Sequence, residues 1–230
     1  MVSDPDSWLS GRILLFDKPY GWTSFYLVKK VRQAIERATG LKKLKVGHAG
    51  TLDPLATGLM IIAVGKATRQ IDELQAGEKE YLATIRLGAT TPGFDLEKGI
   101  DAVFPYGHVN EAMVREALMA FTGEIEQVPP LFSAKKIGGV RAYEMARKGM
   151  EQDLKPKRVF IKKIELLDFN PPDISLLINC SKGTYIRSLA RDLGTALGSG
   201  GHLTSLRRTK SGRFSVEEAT TPENFEKNLA

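Results

Sequence analysis

The 230-residue sequence is poor in the residues that make covalent or metal frameworks: one cysteine, Cys180, and three histidines, His48, His108 and His202. A lone thiol excludes an intramolecular disulfide framework and suits a reducing compartment, so a cytoplasmic protein is expected. Cys180 stands in the strand-like run INCSKG and reads as a small core residue. The histidines fall at no HxxxH spacing and no CxxC is present, so no zinc site is expected and no cofactor is implied. The GxSxG elbow of serine hydrolases is missing. Long hydrophobic runs are missing too: LMIIAV is the longest unbroken one, far short of the roughly 20 residues a membrane helix needs. The start, MVSDPDSWLSGR, lacks the basic and apolar regions of a signal peptide, so no membrane association is expected. Repeats, low-complexity tracts and a clean linker are likewise absent.

Charge is present, and segregated. The formal net charge is +6, but residues 24–50 carry seven Lys or Arg against one Glu and residues 141–213 carry fifteen basic against seven acidic side chains. Residues 72–126, between them, hold four basic and eleven acidic. A helix face could account for either basic cluster alone; two flanking an acidic segment fit a face that meets a polyanion such as RNA.

Along the chain, GRILLFDKPYGWTS predicts a strand, a turn at Pro19 and Gly21, and an N-cap at Thr23 or Ser24. FYLVKKVRQAIERATG sets Leu27, Val31 and Ile35 at helical spacing and stops at Gly40. LMIIAVG predicts a buried strand, and GEKEYLATIRLGA a half-buried one with Tyr81, Ala83, Ile85 and Leu87 on one face. A helix is predicted over NEAMVREALMAFTG, ending at Gly123, then strands over RVFIKKIELLDFN and DISLLINCSKG and a helix over TYIRSLARDLGTALG. VPPLFSAKKIGGVRAYEMARKG predicts a mobile, basic, binding-type loop leading into a helical AYEMARKG, while LTSLRRTKSGRFS is basic and ends strand-like. The irregular interleaving predicts an α+β fold with a mixed, mainly antiparallel sheet flanked by helices, in one compact domain.

The stretch GHAGTLDPLATG, residues 47–58, is a shaped loop: three glycines widen the backbone choices, and Pro54 pushes Asp53 toward extended geometry. Asp-Pro also fits an N-cap with proline at the first position of a short helix. Neither GxxxxGK[ST] nor GxGxxG is matched here, since Leu59 follows Gly58.

Together with FDKPYGWTS upstream, and with KEYLATIRLG, QVPPLFSAKKIGGVRAYEMARKG, CSKGTYIRSLARDLG and LTSLRRTKSGRF following in order, this loop resembles the TruB-type tRNA pseudouridine synthases across residues 11–219. The resemblance implies a pseudouridine-synthase-like catalytic domain over 11–213, an N-terminal tail over 1–10 and a short C-terminal tail over 214–230. It implies isomerisation of uridine to pseudouridine at position 55 of the tRNA T-loop, by base flipping, with no metal or other cofactor. Asp53 becomes the catalytic aspartate, which either attacks C1′ or abstracts a sugar proton. Arg187 would pair with it and keep it ionised, although an arginine on a surface helix is the commoner case. Tyr81, otherwise a core aromatic, would stack on the target base; Tyr185 and Leu206 would line the uracil pocket; and His48 would meet the displaced nucleotides. Lys18 and Pro19 match the family's KP element, counted with the substrate-binding set but expected to brace the active-site loop. A basic thumb loop over about 127–157 would close over RNA. Many members carry a further C-terminal RNA-binding PUA domain, for which residues 214–230 leave no room, so affinity is expected to rest on the catalytic domain. The expected partner is the T-loop and T-stem of tRNA, bound by a monomer with no obligatory protein partner. A non-catalytic RNA-binding or tRNA-folding module would use the same basic faces but has no chemical need for the set Asp53, Tyr81 and Arg187.

Overall fold

The computed structural model describes residues 5–130, 136–137, 140–141 and 155–229. In chain order come helix α1 (Pro5–Ser10), β1 (Arg12–Lys18), α2 (Ser24–Thr39), β2 (Val46–His48), β3 (Thr57–Val64), a 3₁₀ segment (Gly65–Gln70) and α3 (Ile71–Ala76). Next are β4 (Lys79–Leu87), β5 (Ala89–Thr90), β6 (Ala102–Val103), α4 (Glu111–Ala120), β7 (Gly123–Gln127), β8 (Lys136–Ile137) and β9 (Val140–Arg141). The chain continues through β10 (Lys157–Asn170), β11 (Asp173–Cys180), α5 (Ile186–Ala196), β12 (Gly201–Ser211), β13 (Phe214–Ser215) and α6 (Pro222–Leu229). This is the expected α+β class with a mixed, mainly antiparallel sheet. Two compact units result, Met1–Tyr81 with Leu206–Ala230, and Leu82–Ser205, so the division falls within β4 and β12.

In the first unit β3 is central. It runs antiparallel to β1 from Arg12↔Val64 to Lys18↔Gly58, and its C-terminal half also pairs with β2. Its N-terminal end runs parallel to β12, with Arg207 opposite Thr57 and Arg208 opposite Gly58. LMIIAV is apolar without alternation because every one of its residues is fully buried, on both faces of the strand. Helix α2 starts at Thr23, whose hydroxyl accepts from the Tyr26 N–H, and stops at Gly40, left-handed at φ 72°. Its apolar stripe of Leu27, Val28, Val31 and Ile35 packs with Phe16, Met60, Ile62 and Val64.

Helices α1 and α6, in stretches expected as tails, pack onto this core. Helix α1 buries Trp8, and the Arg12 guanidinium lies 4.4 Å from its ring centroid. Phe225 of α6 meets Trp8 and Phe16 edge-on, at 6.3 and 5.0 Å between centroids. The sequence carried a sign of α6: Thr221 caps through the Asn224 N–H, Pro222 opens the helix, and Phe225 and Leu229 share a face.

The second unit holds the strand order β4, β11, β10, β7. β10 and β11 form an antiparallel hairpin closing at Asn170↔Asp173, and Ile174, Leu176, Ile178 and Cys180 alternate inward. Helix α4 stops at Ala120, short of the expected Gly123, because Gly123 at φ 99° turns the chain into β7, an edge strand too short and acidic to stand out. Of the expected thumb loop, residues 131–135, 138–139 and 142–154 lie outside the described residues, as does the predicted helix AYEMARKG. Among the described residues no helix is long and apolar enough to cross a membrane.

Because Trp8 is almost fully buried between Arg12 and Phe225, Trp8→Ala should lower stability by about 3–5 kcal/mol in urea unfolding. A loss below about 1 kcal/mol would mean that the first ten residues act as a mere tail.

Candidate active site

Asp53 lies half-buried in the loop between β2 and β3. The loop does not open a helix. The Ala56 N–H donates to the Asp53 carbonyl at 3.1 Å, closing a turn at Pro54 and Leu55 from which the chain enters β3. The N-cap alternative for Asp53 is therefore set aside, since β3 follows the turn directly and leaves no turns of helix to cap.

Three buried side chains hold this loop by its backbone. Lys18, at the end of β1 and without exposed surface, donates from Nζ to the carbonyls of Trp22, Pro19 and Pro54 at 2.7, 3.0 and 3.3 Å. The Gly21 N–H reaches the same Pro54 carbonyl at 2.9 Å. Ser24, in the first turn of α2, hydrogen-bonds both backbone groups of Leu52 through its hydroxyl, each at 2.9 Å. From β12, Arg208, only 1% exposed, donates Nε to the Leu59 carbonyl at 2.8 Å, Nη2 to Gly50 at 3.1 Å and Nη1 to Thr51 at 3.4 Å. Gly58 makes the last clamp possible. At φ +100° it lies so close to β12 that a Cβ would stand 2.3 Å from the Arg208 carbonyl oxygen.

The electrostatics follow from this burial. Desolvation pushes the Lys18 ammonium down to about 8, against the pull of the Asp53 carboxylate and with a further push from Arg208. His48 is also lowered, first by burial and then by Arg208, with a hydrogen bond to the Gly50 backbone acting the other way. A histidine held below its usual range is neutral at pH 7 and meets a ligand as a hydrogen-bonding or stacking ring.

Lys18, His48 and Asp53 are thus gathered around Arg208 in the first unit. Tyr81 of β4 and Leu206 of β12, both buried, lie there too, on neighbouring strands joined where Thr209 donates to the Glu80 carbonyl and carboxylate at 3.2 and 2.9 Å. Tyr185 and Arg187 belong to the second unit, at the start of α5. The Tyr185 N–H donates to Gln127 Oε1 at 2.7 Å. Arg187 is no surface arginine: it is 5% exposed, paired with buried Asp95 at 3.6 Å and donating to the Gly93 carbonyl at 3.3 Å. His108 and His202 are structural, their ring nitrogens against the carbonyls of Leu197 and Ala89 at 2.9 and 3.0 Å.

Sequence reasoning missed Ser24, Asp95 and Arg208. For Arg208 a signal existed, since strand alternation puts it on the buried face with Leu206. For Asp95 none did, because it lies in an irregular segment.

Residues 37–186 match the family model described as TruB family pseudouridylate synthase (N terminal domain), and residues 187–230 match the tRNA pseudouridylate synthase B C-terminal domain. The tRNA pseudouridine synthase B of Phocaeicola vulgatus is 58% identical over 215 residues, covering 94% of this chain and 92% of that protein. That of Flavobacterium johnsoniae is 50% identical over 226 residues, covering 98% and 99%. Among solved structures, a Cbf5–Nop10–Gar1 complex superposes with a TM-score of 0.71 at 31% identity, over 94% of this chain and 53% of that one. An archaeal box H/ACA Nop10–Cbf5 complex gives a TM-score of 0.69 at 28% identity, over 99% and 57%. The chain spans about half the length of those two. It belongs to the TruB family of pseudouridylate synthases.

Because the Lys18 pKa is lower in the folded chain (about 8) than unfolded (10.5), the unfolded state binds the extra proton between those values and the Lys18 contribution to stability rises with pH. The stability of the wild type relative to Lys18→Met should therefore shift in favour of the wild type by about 2 kcal/mol between pH 7.5 and pH 10, read by urea unfolding at each pH. A difference that stays flat across this window would show that the ammonium is not desolvated.

Proposed function

We propose that this chain isomerises uridine to pseudouridine at position 55 in the T-loop of tRNA, with Asp53 as the catalytic carboxylate. What carries the reading is the fixing of the Asp53 loop, in a chain of this family, by Lys18, Ser24 and Arg208 through the backbone carbonyls and N–H around it. A carboxylate on a loop held that firmly meets the sugar of a flipped uridine in a set geometry. The C1′–N1 bond breaks, the base turns, and C1′ joins C5; the C5 hydrogen leaves as a proton and N1 takes one up. Nothing is oxidised or reduced, so the protein's own groups suffice. Asp53 attacks C1′ or removes a sugar proton.

Tyr81 stacks on the flipped base, whose removal from the loop stack is the entry step. On the family pattern Arg187 is taken as the arginine partner of Asp53, and Tyr185 and Leu206 as residues of the uracil pocket. His48 contacts the displaced nucleotides as a neutral ring, in keeping with its lowered pKa. Lys18, whose three donors already go to carbonyls, braces the loop and has little left to offer a substrate. The protein acts as a stand-alone monomer of the cytoplasm on the T-loop and T-stem.

The test is a tRNA transcript carrying tritium at uracil C5. The wild type should release tritium to water at one T-loop uridine, while Asp53→Asn, still binding the transcript, should fall by a factor of at least about 10³. No release by the wild type with binding intact would hand the function to a non-catalytic RNA-binding module. Since the basic clusters carry the affinity, Kd for tRNA should weaken by at least about tenfold between about 50 and about 200 mM salt. A nearly flat salt response would exclude a phosphate-dominated interface.

A further inference from the structure

Four aromatic residues stand within seven positions, Tyr20, Trp22, Phe25 and Tyr26. Three are exposed although large and apolar, Phe25 at 72%, Tyr20 at 60% and Tyr26 at 40%. Scattered exposed rings need no explanation, but a cluster does. Trp22 is partly buried against the first unit's core and packs edge-on to Tyr26, with centroids 4.6 Å apart at 79°. Lys30 Nζ lies 5.9 Å from the Tyr26 ring centroid, and Lys29 is one helical turn beyond Phe25 on the same side of α2. Between Asp17 and Glu36 the chain has no acidic residue, and beside the buried Lys18 it carries Lys29, Lys30 and Arg32. The cluster is also tied to the catalytic loop: Lys18 binds the Trp22 carbonyl, the Gly21 N–H donates to the Pro54 carbonyl, and Ser24 holds Leu52.

We infer that Tyr20 and Phe25, rooted by Trp22 and Tyr26, form a stacking platform for unpaired nucleotides flanking the reacting uridine, with Lys29 and Lys30 on their phosphates. Flat rings beside ammonium groups, in a stretch of chain without a carboxylate, are the chemistry that single-stranded RNA selects. A protein partner would gain from the apolar area but would have no use for the two ammonium groups beside the rings. The inference takes its location from the proposed isomerisation, and its binding test stands without it.

Three double variants decide it: Tyr20→Ala with Phe25→Ala, Tyr20→Leu with Phe25→Leu, and Tyr20→Phe with Phe25→Tyr. Fluorescence anisotropy of a labelled tRNA transcript gives Kd, and tritium release gives KM and kcat. The alanine pair should raise Kd and KM by at least about tenfold, with a smaller effect on kcat, and leave Tm unchanged because both side chains are exposed. The leucine pair should behave like alanine, and the ring-keeping pair should stay within about twofold of the wild type. An alanine-pair Kd within about twofold of the wild type overturns the proposal, and so does full rescue by leucine, which would mean apolar contact without stacking. Sedimentation showing that the alanine pair dissolves a self-association, with tRNA affinity unchanged, would make the patch a protein interface and also overturn it. If the wild type binds but never releases tritium, while the alanine pair still loses affinity, the isomerase reading falls and the platform stands.

Discussion

Everything described around Asp53 depends on two buried cations and the carbonyl oxygens that receive them. An irregular loop cannot satisfy its own backbone groups, and an ammonium or guanidinium cannot be buried without acceptors. Lys18 and Arg208 solve both problems at once: six carbonyls, four of them in the loop 47–58 or at its exit into β3, take their donors. The same choice explains the depressed pKa of Lys18, since burial and the charge of Arg208 lower it against the pull of Asp53. It also keeps His48 neutral. The carboxylate is thus set in a field of fixed positive charge, with its loop immobilised from both sides of the N-terminal end of β3.

Central β3 makes this clamp possible. Its N-terminal end lies between Lys18 on β1 and Arg208 on β12, directly opposite both through Gly58. A side chain at Gly58 would collide with the β12 backbone, so the close approach and the left-handed φ select glycine together. The other loop glycine that contributes directly is Gly50, whose carbonyl turns to Arg208 Nη2 at φ 103°. In the motif GHAGTLDPLATG, then, glycine serves strand packing at one end and a carbonyl turn at the other, and both fix the aspartate between them.

Much of this was legible in the sequence. The N-cap Thr23, the stop at Gly40, the buried LMIIAV and the alternation of β4 all follow from local chemistry and hold. The family resemblance located Asp53, which spacing alone left between a presented side chain and a helix cap. What could not be read were features set by distant partners. Trp8 and Phe225 look like residues of polar tails until they are seen to share a core, some 200 positions apart in the chain. Asp95 is one acidic residue among many until Arg187 is found buried against it. Arg208 reads as one more basic residue of an RNA-binding segment, when its charge is wholly spent inside the protein.

That last point changes how the basic character should be weighed. Net charge treats Lys18, Arg187 and Arg208 as equal to Lys29 or Lys42, yet the first three are buried and donate to backbone carbonyls, with Arg187 also paired to Asp95, so they do not face a polyanion. The cations left to meet phosphate are the exposed ones, and in the first unit they include Lys29, Lys42, Lys43, Lys45, Lys66 and Arg69. Their field supplies affinity without discrimination. Discrimination has to come from groups that read bases, and the proposed readers near Asp53 are rings: neutral His48 within the loop, and Tyr20 and Phe25 tied to it through Gly21 and Ser24. On the proposed reading, buried charge shapes the site, exposed charge gathers the RNA, and uncharged rings select the nucleotides presented to the carboxylate.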